Sequence, residues 1–482
     1  MPHSRRFAWT TLLAGALSLA LATPAGACTG VIVGKNLTQD GSTYVGRTED
    51  LEQNHPKRVM AHPAGELKAG EDLVGESGVR WQLPADSQRY TSISDVTPEK
   101  GRFDEAGTNG SGVMVDATVS AKANDQALAK DPYEKQGWTE GVLGTALLSQ
   151  ATNARQGVDL LASLVDRDGM AEGDSLVIAD QQETWYVELY TGHQYVAMQY
   201  PDDAYSVTPN AYWLHQADCH SEQFRCSPGA EAVARDAGVF RERDGKFDPA
   251  ASYNEALAPT VTSRAWSGLK LLDPGNPAAA DQQAYPLLNH PSNQFRKLGL
   301  ADLMALQRNR FEHVDAGLAQ ASRGVADDNQ LQRGARYPVG NTNTMEGHIF
   351  RINGQSPSEL FTALGSPQAA PYVPYFSGIT GTPDEVASMS TDPKDPKSYY
   401  WTVTAIANIV ARDRNLQEPV RRYLQAIEGP WVESAAADGD TFAERGDEWA
   451  TQNYAERVQQ SFQKLQALRA SLEQNRTVPP LD

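Results

Sequence analysis

The chain is poor in cysteine, in positive charge and in long apolar runs, and each shortage narrows what it can be. Three cysteines in 482 residues are too few for a disulfide-built scaffold or a multi-cysteine metal domain. Lys and Arg number 42 against 61 Asp and Glu, a net charge of −19, which argues against nucleic acid or an anionic membrane as partner. After the first two dozen residues no apolar stretch is long enough to span a bilayer. No nucleotide, haem or flavin signature is present, so no cofactor is expected.

What is present begins at the N-terminus. Arg5 and Arg6 precede an apolar run from Ala8 to Ala22, then Pro24 and the small-x-small sequence Ala25-Gly26-Ala27. That is the layout of a secretory leader cut after Ala27, and Ser4-Arg5-Arg6 hints at twin-arginine export. Residues 1–27 read as a signal peptide, which places the mature chain outside the cytoplasm, periplasmic or secreted. Removing 27 residues leaves 455 and, with two Arg and no acid lost, takes the net charge from −19 to −21. A chain of that length can bury a large core as one domain. The domain is taken to run from 28 to 475, with 476–482 as a frayed tail.

Cleavage after Ala27 would make Cys28 the first residue, carrying a thiol and a free α-amine together. With an unperturbed pKa of about 7.7–8.0, the amine can take the thiol proton near neutrality. Before cleavage the same nitrogen is an amide and no base. A competing reading makes Cys28 a lipidation site, which would acylate the amine and leave a lipid-anchored binding protein. The two readings exclude each other.

Residues Cys28–Val33 are β-branched and apolar, Asp40-Gly41 is a turn signal, and Ser42–Gly46 reads as the partner strand ending toward Arg47 and Asp50. Such a hairpin returns Arg47 and Asp50 to the nucleophile, where an Arg lowers a thiol pKa and an Asp accepts from an α-ammonium. The same two residues also suit a surface ion pair. Residues 51–107 suggest strands with long loops. Ala106–Gly112 is a turn entering a strand over Val113–Val119, and Asn109 in it suits an oxyanion donor or a plain turn residue. Helical spacing covers Trp138–Leu164 with a break near Ala154–Gly157, and strands follow at Ser175–Ala179, Thr184–Leu189, Gln194–Met198 and Ala204–Val207. Asn210 follows the last of these. Leu300–Ala321, Tyr399–Ile427 and Asp447–Leu472 read as helices, and Asn341–Ile352 and Leu360–Leu364 as strands. Residues 211–300 are mixed and proline-rich. They hold Cys219 and Cys226, either a disulfide closing a short loop, at about 2.5 kcal/mol, or part of a zinc set with His215 and His220. His193, between two strands, is an alternative base for a Cys–His hydrolase or a structural histidine.

Ordered segments carry a resemblance. Cys28-Thr29 leads to Asp40-Gly41-Ser42-Thr43 and Arg47-x-x-Asp50; Glu105–Asn109 leads to Gly112-Val113 and Ala117-Thr118. Asn124-Asp125 and Asp131-Pro132-Tyr133 follow, then Glu183–Glu188, Gly192-His193-Gln194, Pro201-Asp202-Asp203, Pro209-Asn210 and Pro371–Thr380. In this order they resemble the dipeptidase A family of N-terminal-nucleophile hydrolases, related to choloylglycine hydrolases and penicillin V acylases. The resemblance implies an α+β fold, the αββα sandwich of two antiparallel sheets between helical layers. It implies cleavage of dipeptides with a free N-terminus, with Cys28 as nucleophile, Arg47 and Asp50 around it, and Asn109 and Asn210 as oxyanion or substrate-orienting residues. An amidase or acylase of N-acyl amino acids would share the nucleophile. Gly110 stands where the family often has Glu, and the resemblance places no counterpart for 211–300 or the C-terminal helices.

Overall fold

The computed structural model describes residues 28–51, 55–96, 101–117, 120–280, 282–323, 328, 336–354 and 358–480. The expected leader, Thr118 and Val119 of one expected strand, and the last two tail residues lie outside them.

Among the described residues eighteen strands occur in chain order: β1 Thr29–Val33, β2 Thr43–Asp50, β3 Lys57–His62, β4 Asp72–Val74, β5 Arg80–Gln82, β6 Tyr90–Asp95, β7 Asp104–Asn109, β8 Met114–Ala117, β9 Asp174–Ala179, β10 Thr184–Leu189, β11 Tyr195–Gln199, β12 Tyr205–Pro209, β13 Phe224–Cys226, β14 Glu242–Arg243, β15 Lys246–Phe247, β16 Thr344–Ile352, β17 Glu359–Leu364 and β18 Val373–Phe376. Six form one sheet in the order β12-β1-β2-β16-β17-β18, and eight form the other in the order β13-β11-β10-β9-β8-β7-β6-β3. All the pairings within these two sheets are antiparallel. Most of their strands are buried along their whole length because both faces are covered, which is why they read as near-continuous apolar runs.

Helices Glu140–Gln150 and Ala154–Asp168 cover the eight-stranded sheet. Leu143, Leu147, Leu161 and Val165 pack there against Ile178, Trp185 and Val187. The break between the two helices falls at Ala151–Asn153, where the Asn153 side chain caps the second by accepting from the Gln156 N–H. Helices Pro259–Leu272, Leu300–Gln307, Tyr399–Arg412 and Gln417–Asn475 pack on the six-stranded sheet. The result is the expected α+β arrangement, two facing antiparallel sheets with helical layers outside.

Three helices depart from expectation. The span expected from Leu300 to Ala321 stops at Gln307 and resumes at Ala316, because Phe311 and His313 take left-handed backbone angles while Arg310 turns inward onto Asp328 at 2.6 and 2.7 Å. The span expected from Tyr399 to Ile427 breaks at Asp413, whose side chain accepts from the Asn415 N–H. The helix expected to begin at Asp447 instead begins at Gln417, running through Gly429 and Pro430 to an interruption at Gly446 (φ 72°) and on to Asn475.

Helix Glu140–Gln150 lies close on its sheet because Gly144 has no side chain: a Cβ there would sit 2.0 Å from the Asp104 carbonyl oxygen. Gly144→Ala is expected to cost at least about 2 kcal/mol, read as a lowered midpoint in urea unfolding at unchanged slope.

Candidate active site

Strand β1 runs between β12 and β2. Thr29 pairs with Pro209 on one side and Thr48 on the other, and Gly30 pairs with Arg47. Paired residues share a face and faces alternate, so Arg47 and Glu49 point toward the second sheet and Thr48 and Asp50 point away from it. Cys28, two residues before Gly30, shares the face of Arg47. Its side chain is buried, and the Asp50 backbone N–H hydrogen-bonds the sulfur. Burial pushes the thiol pKa up; the Arg47 charge pulls it down, and Glu49 and Asp50 push it up again. Asp50 thus meets Cys28 through its backbone, a contact that its residue type does not signal.

Arg264, on helix Pro259–Leu272, escaped the sequence reading. It is fully buried, and its Nη1 donates to the Cys28 carbonyl at 2.5 Å and to Thr29 Oγ1 at 3.0 Å. Its Nη2 donates to Asn210 Oδ1 at 3.0 Å and its Nε to the Thr260 carbonyl at 3.1 Å. Burial lowers its pKa against the pull of Asp50, Tyr337 and Cys28. The signal for its helix was present: Pro259 at the first position, then Val261, Ala265, Leu269 and Leu272 on one face. Asn210 joins the same group, its Nδ2 resting on the Ser120 carbonyl at 2.9 Å. A cavity of about 380 Å³ opens beside these residues, lined by Ser120, Lys122, Asn210, Asn254, Glu255 and Arg264.

Asn109 is placed otherwise. Its Nδ2 donates to the Leu148 and Ala151 carbonyls at 3.0 and 2.7 Å, and its Oδ1 accepts from the Ser111 and Val113 N–H groups, both at 3.0 Å. Both amide protons and the oxygen are spent on backbone, joining a turn to the end of helix Glu140–Gln150. His193 is held by Asp131, Nδ1 to Oδ1 at 3.0 Å. Cys219 and Cys226 are bonded to each other with Cα atoms 5.6 Å apart, and His215 instead meets Asp248 at 2.6 Å. Two sulfurs joined in a disulfide are not thiolate ligands, so the zinc reading of this region is corrected.

Arg47 sits between the sheets among four carboxylates: Asp116 at 3.0 Å, Glu105 at 3.1 Å, Glu49 at 3.3 Å and Glu346 at 3.5 Å. Beside it Lys57 fills the space among Glu49, Glu105 and Asp95, reaching the first two at 2.5 Å. These three acids are the one group among the described residues spaced to hold a metal ion, and the Lys57 ammonium occupies their centre. His348 completes the cluster, Nε2 to Asp116 at 3.1 Å and Nδ1 to Glu346 at 3.0 Å. Despite burial, these two acids raise it to about 9.

A match to peptidase family C69 spans residues 27–426, beginning next to Cys28. The match covers most of the chain, and the chain belongs to peptidase family C69. It is 39% identical over 464 residues to a probable dipeptidase B of Streptococcus pyogenes serotype M1, covering 92% of each chain. It is 28% identical over 392 residues to a probable dipeptidase of Latilactobacillus sakei, covering 80% of this chain and 81% of the relative. Coverage of 92% cannot be reached without part of region 211–300, which the resemblance had left unplaced. Among solved structures, penicillin V acylase from Agrobacterium tumefaciens aligns over 73% of this chain and 87% of its own at 13% identity and a TM-score of 0.31. A variant of conjugated bile acid hydrolase from Clostridium perfringens aligns over 70% and 89% at 11% identity and a TM-score of 0.33.

Sequence alone suggested that Arg47 serves chemistry more than folding. Its surroundings lead to a different expectation: Arg47→Ala leaves four buried acids short of a cation and is expected to cost about 3–5 kcal/mol, visible as a lower Tm. His348 gives a pH test. Its folded pKa lies above the unfolded value of about 6.5, so its contribution is complete below pH 6.5 and lost as pH rises through about 9. The difference is about 3 kcal/mol, and the decline in stability between pH 6.5 and 9 is expected to flatten in His348→Gln.

Proposed function

We propose that the protein is an exported cysteine dipeptidase whose nucleophile is made by removal of residues 1–27. The observation that carries the reading is Cys28 itself, buried at the head of an inner strand with Arg264 on its carbonyl, Asn210 on that Arg, and the Asp50 N–H on its sulfur. Membership of a peptidase family, and relatives called dipeptidases, support the substrate class. The leader-like composition of residues 1–27 and the family match beginning at residue 27 support the processing point and a periplasmic or secreted location. One catalytic domain is taken to span residues 28–475.

In the mature chain the α-amine of Cys28 takes the thiol proton and Sγ adds to the scissile carbonyl carbon. The oxyanion is met by the Asn210 amide through the Nδ2 proton not bound to the Ser120 carbonyl, with Arg264 on Asn210 Oδ1 fixing the amide's orientation, a contribution often worth about 3–4 kcal/mol per donor. Collapse breaks the C–N bond, and the leaving amine takes the proton back from the α-ammonium. A thioester to Cys28 remains, and water adds to it, releasing the acid and restoring the thiol. The buried thiol resists ionisation by itself, so a base in contact with it is required. Arg47 acts at longer range, through its charge. Asn109, with its amide committed to backbone, has no part in this scheme.

Exported protein is expected to begin Cys-Thr-Gly on N-terminal sequencing; a blocked or lipidated terminus would support the binding-protein alternative. Adding one residue before Cys28 keeps the thiol and converts the base to an amide. Turnover of a free-amine dipeptide should then fall at least about 100-fold, as far as in Cys28→Ala, with circular dichroism unchanged. Retained activity would assign the base to a side chain. Preference for N-acetylated substrates over free-amine dipeptides would favour the acylase reading.

A further inference from the structure

Asp50 is buried, and its carboxylate is met from a loop distant in sequence. Asn341, itself fully buried, donates from Nδ2 to Asp50 Oδ2 at 2.6 Å and to the Val339 carbonyl at 3.2 Å. Its Oδ1 accepts from the Asn343 N–H at 2.8 Å. A backbone N–H only donates, so the amide oxygen must face Asn343 and the NH2 edge must face Asp50. The amide has no second orientation that keeps these bonds. Its loop is anchored to the helix of Arg264, since Ser263 Oγ donates to the Tyr337 carbonyl at 3.1 Å and accepts from the Tyr337 N–H at 3.0 Å.

Groups from several elements face Asp50 among the described residues. Arg264 approaches from the helix, Cys28 from β1, Glu49 from its own strand, Thr344 from β16, and Tyr337 from the Asn341 loop. Arg264 is the one cation among them. Burial raises the Asp50 carboxyl to about 7, against the pull of Thr344, Arg264 and Asn341. An α-amine that takes a thiol proton becomes an ammonium, and that ammonium needs a carboxylate held in the ionised form. A donor fixed on Oδ2 denies that oxygen the proton.

We propose that Asn341 is a positioning residue of the reaction: it fixes Asp50 as an acceptor for the α-ammonium of Cys28 and thereby sets the acid limit of activity. This rests on the reading of the Cys28 amine as base. A purely structural Asn341 would change stability and amount of active enzyme but not the pH at which activity is lost.

The test uses mature enzyme beginning at Cys28, with kcat and KM for a free-amine dipeptide measured from pH 4.5 to 9. Asn341→Ala is expected to move the acid limb of kcat upward by about one pH unit and to lower kcat at pH 6 about tenfold, with KM within twofold. Asn341→Asp keeps the side-chain shape but sets a second carboxyl against Asp50, so the pair shares a proton and the limb should move upward in this variant too. It reports on the inference should the alanine variant fail to fold. An acid limb coincident with wild type in a folded variant overturns the inference. So does a fall in kcat matched by a fall in Tm with the limb unmoved. The one-residue extension before Cys28 separates the two levels. An active extended enzyme removes the base reading itself, whereas an inactive one beside an unmoved limb removes only the role of Asn341.

Discussion

The fold depends on a charge balance struck where the two sheets face each other. Arg47 from the six-stranded sheet and Lys57 from the eight-stranded sheet each reach across to acids of both. With His348 there are three cations for five carboxyls: Glu49, Asp95, Glu105, Asp116 and Glu346. Burial and neighbouring acids push Asp95 and Glu105 up, while Lys57 and Arg47 hold Glu49 at about 2 and His348 and Arg47 hold Asp116 low. Burial and like charge thus press Asp95 and Glu105 toward their neutral forms, and the cations press the other way. An apolar layer of equal volume would pack the sheets at less electrostatic cost. What the cluster adds is register: each cation meets its acids in one relative placement of the sheets, and that placement sets Cys28 beside Arg47 and Glu49.

The site grows out of this arrangement at the sheet's end. The inner face of β1 and β2 gives the sulfur its electrostatic environment, and the outer face gives Asp50 its partners. Burial disfavours the thiolate by more than Arg47 favours it. On the proposed processing, the α-nitrogen of the same residue is available to accept the thiol proton. Arg264 binds the carbonyl of Cys28 and so fixes the residue that would carry both thiol and amine; holding both by one backbone contact limits the freedom of a chain terminus that would otherwise fray.

Much of this was legible locally. The hairpin was marked by Asp40-Gly41, where Gly41 takes φ 73° and the Asp40 carboxylate accepts from the Ser42 N–H, and its register follows from that turn. The strands after residue 174 announced themselves by β-branched runs, and the disulfide pair by elimination. What was not legible is what depends on distant partners. Nothing near Arg47 foretells acids on β7, β8 and β16, and nothing near Asn109 foretells that helix Glu140–Gln150 ends against it. A left-handed Phe311 is intelligible only once Asp328 is in place to receive Arg310. Arg264 belongs to neither kind: its helix had a readable apolar face, masked by the proline-rich sequence around it.

Region 211–300 is therefore no appendage. Helix Pro259–Leu272 lies on β12, the strand that flanks β1, and Gly268 permits the approach, since a Cβ there would stand 2.7 Å from Val207 Cγ1. That approach lets Arg264 reach Cys28, Thr29 and Asn210 together. One guanidinium thus ties the start of β1, the end of β12 and the helix outside the sheet into one rigid unit. The disulfide Cys219–Cys226 holds β13 on the edge of the other sheet, where Val196 pairs with Cys226, so the chain between Asn210 and Arg264 is fastened to both sheets. A site assembled this way needs the whole connection from β12 to the helix to be folded before Cys28 is held. The segment that local pattern described least well is accordingly the one that brings Cys28 its buried cation.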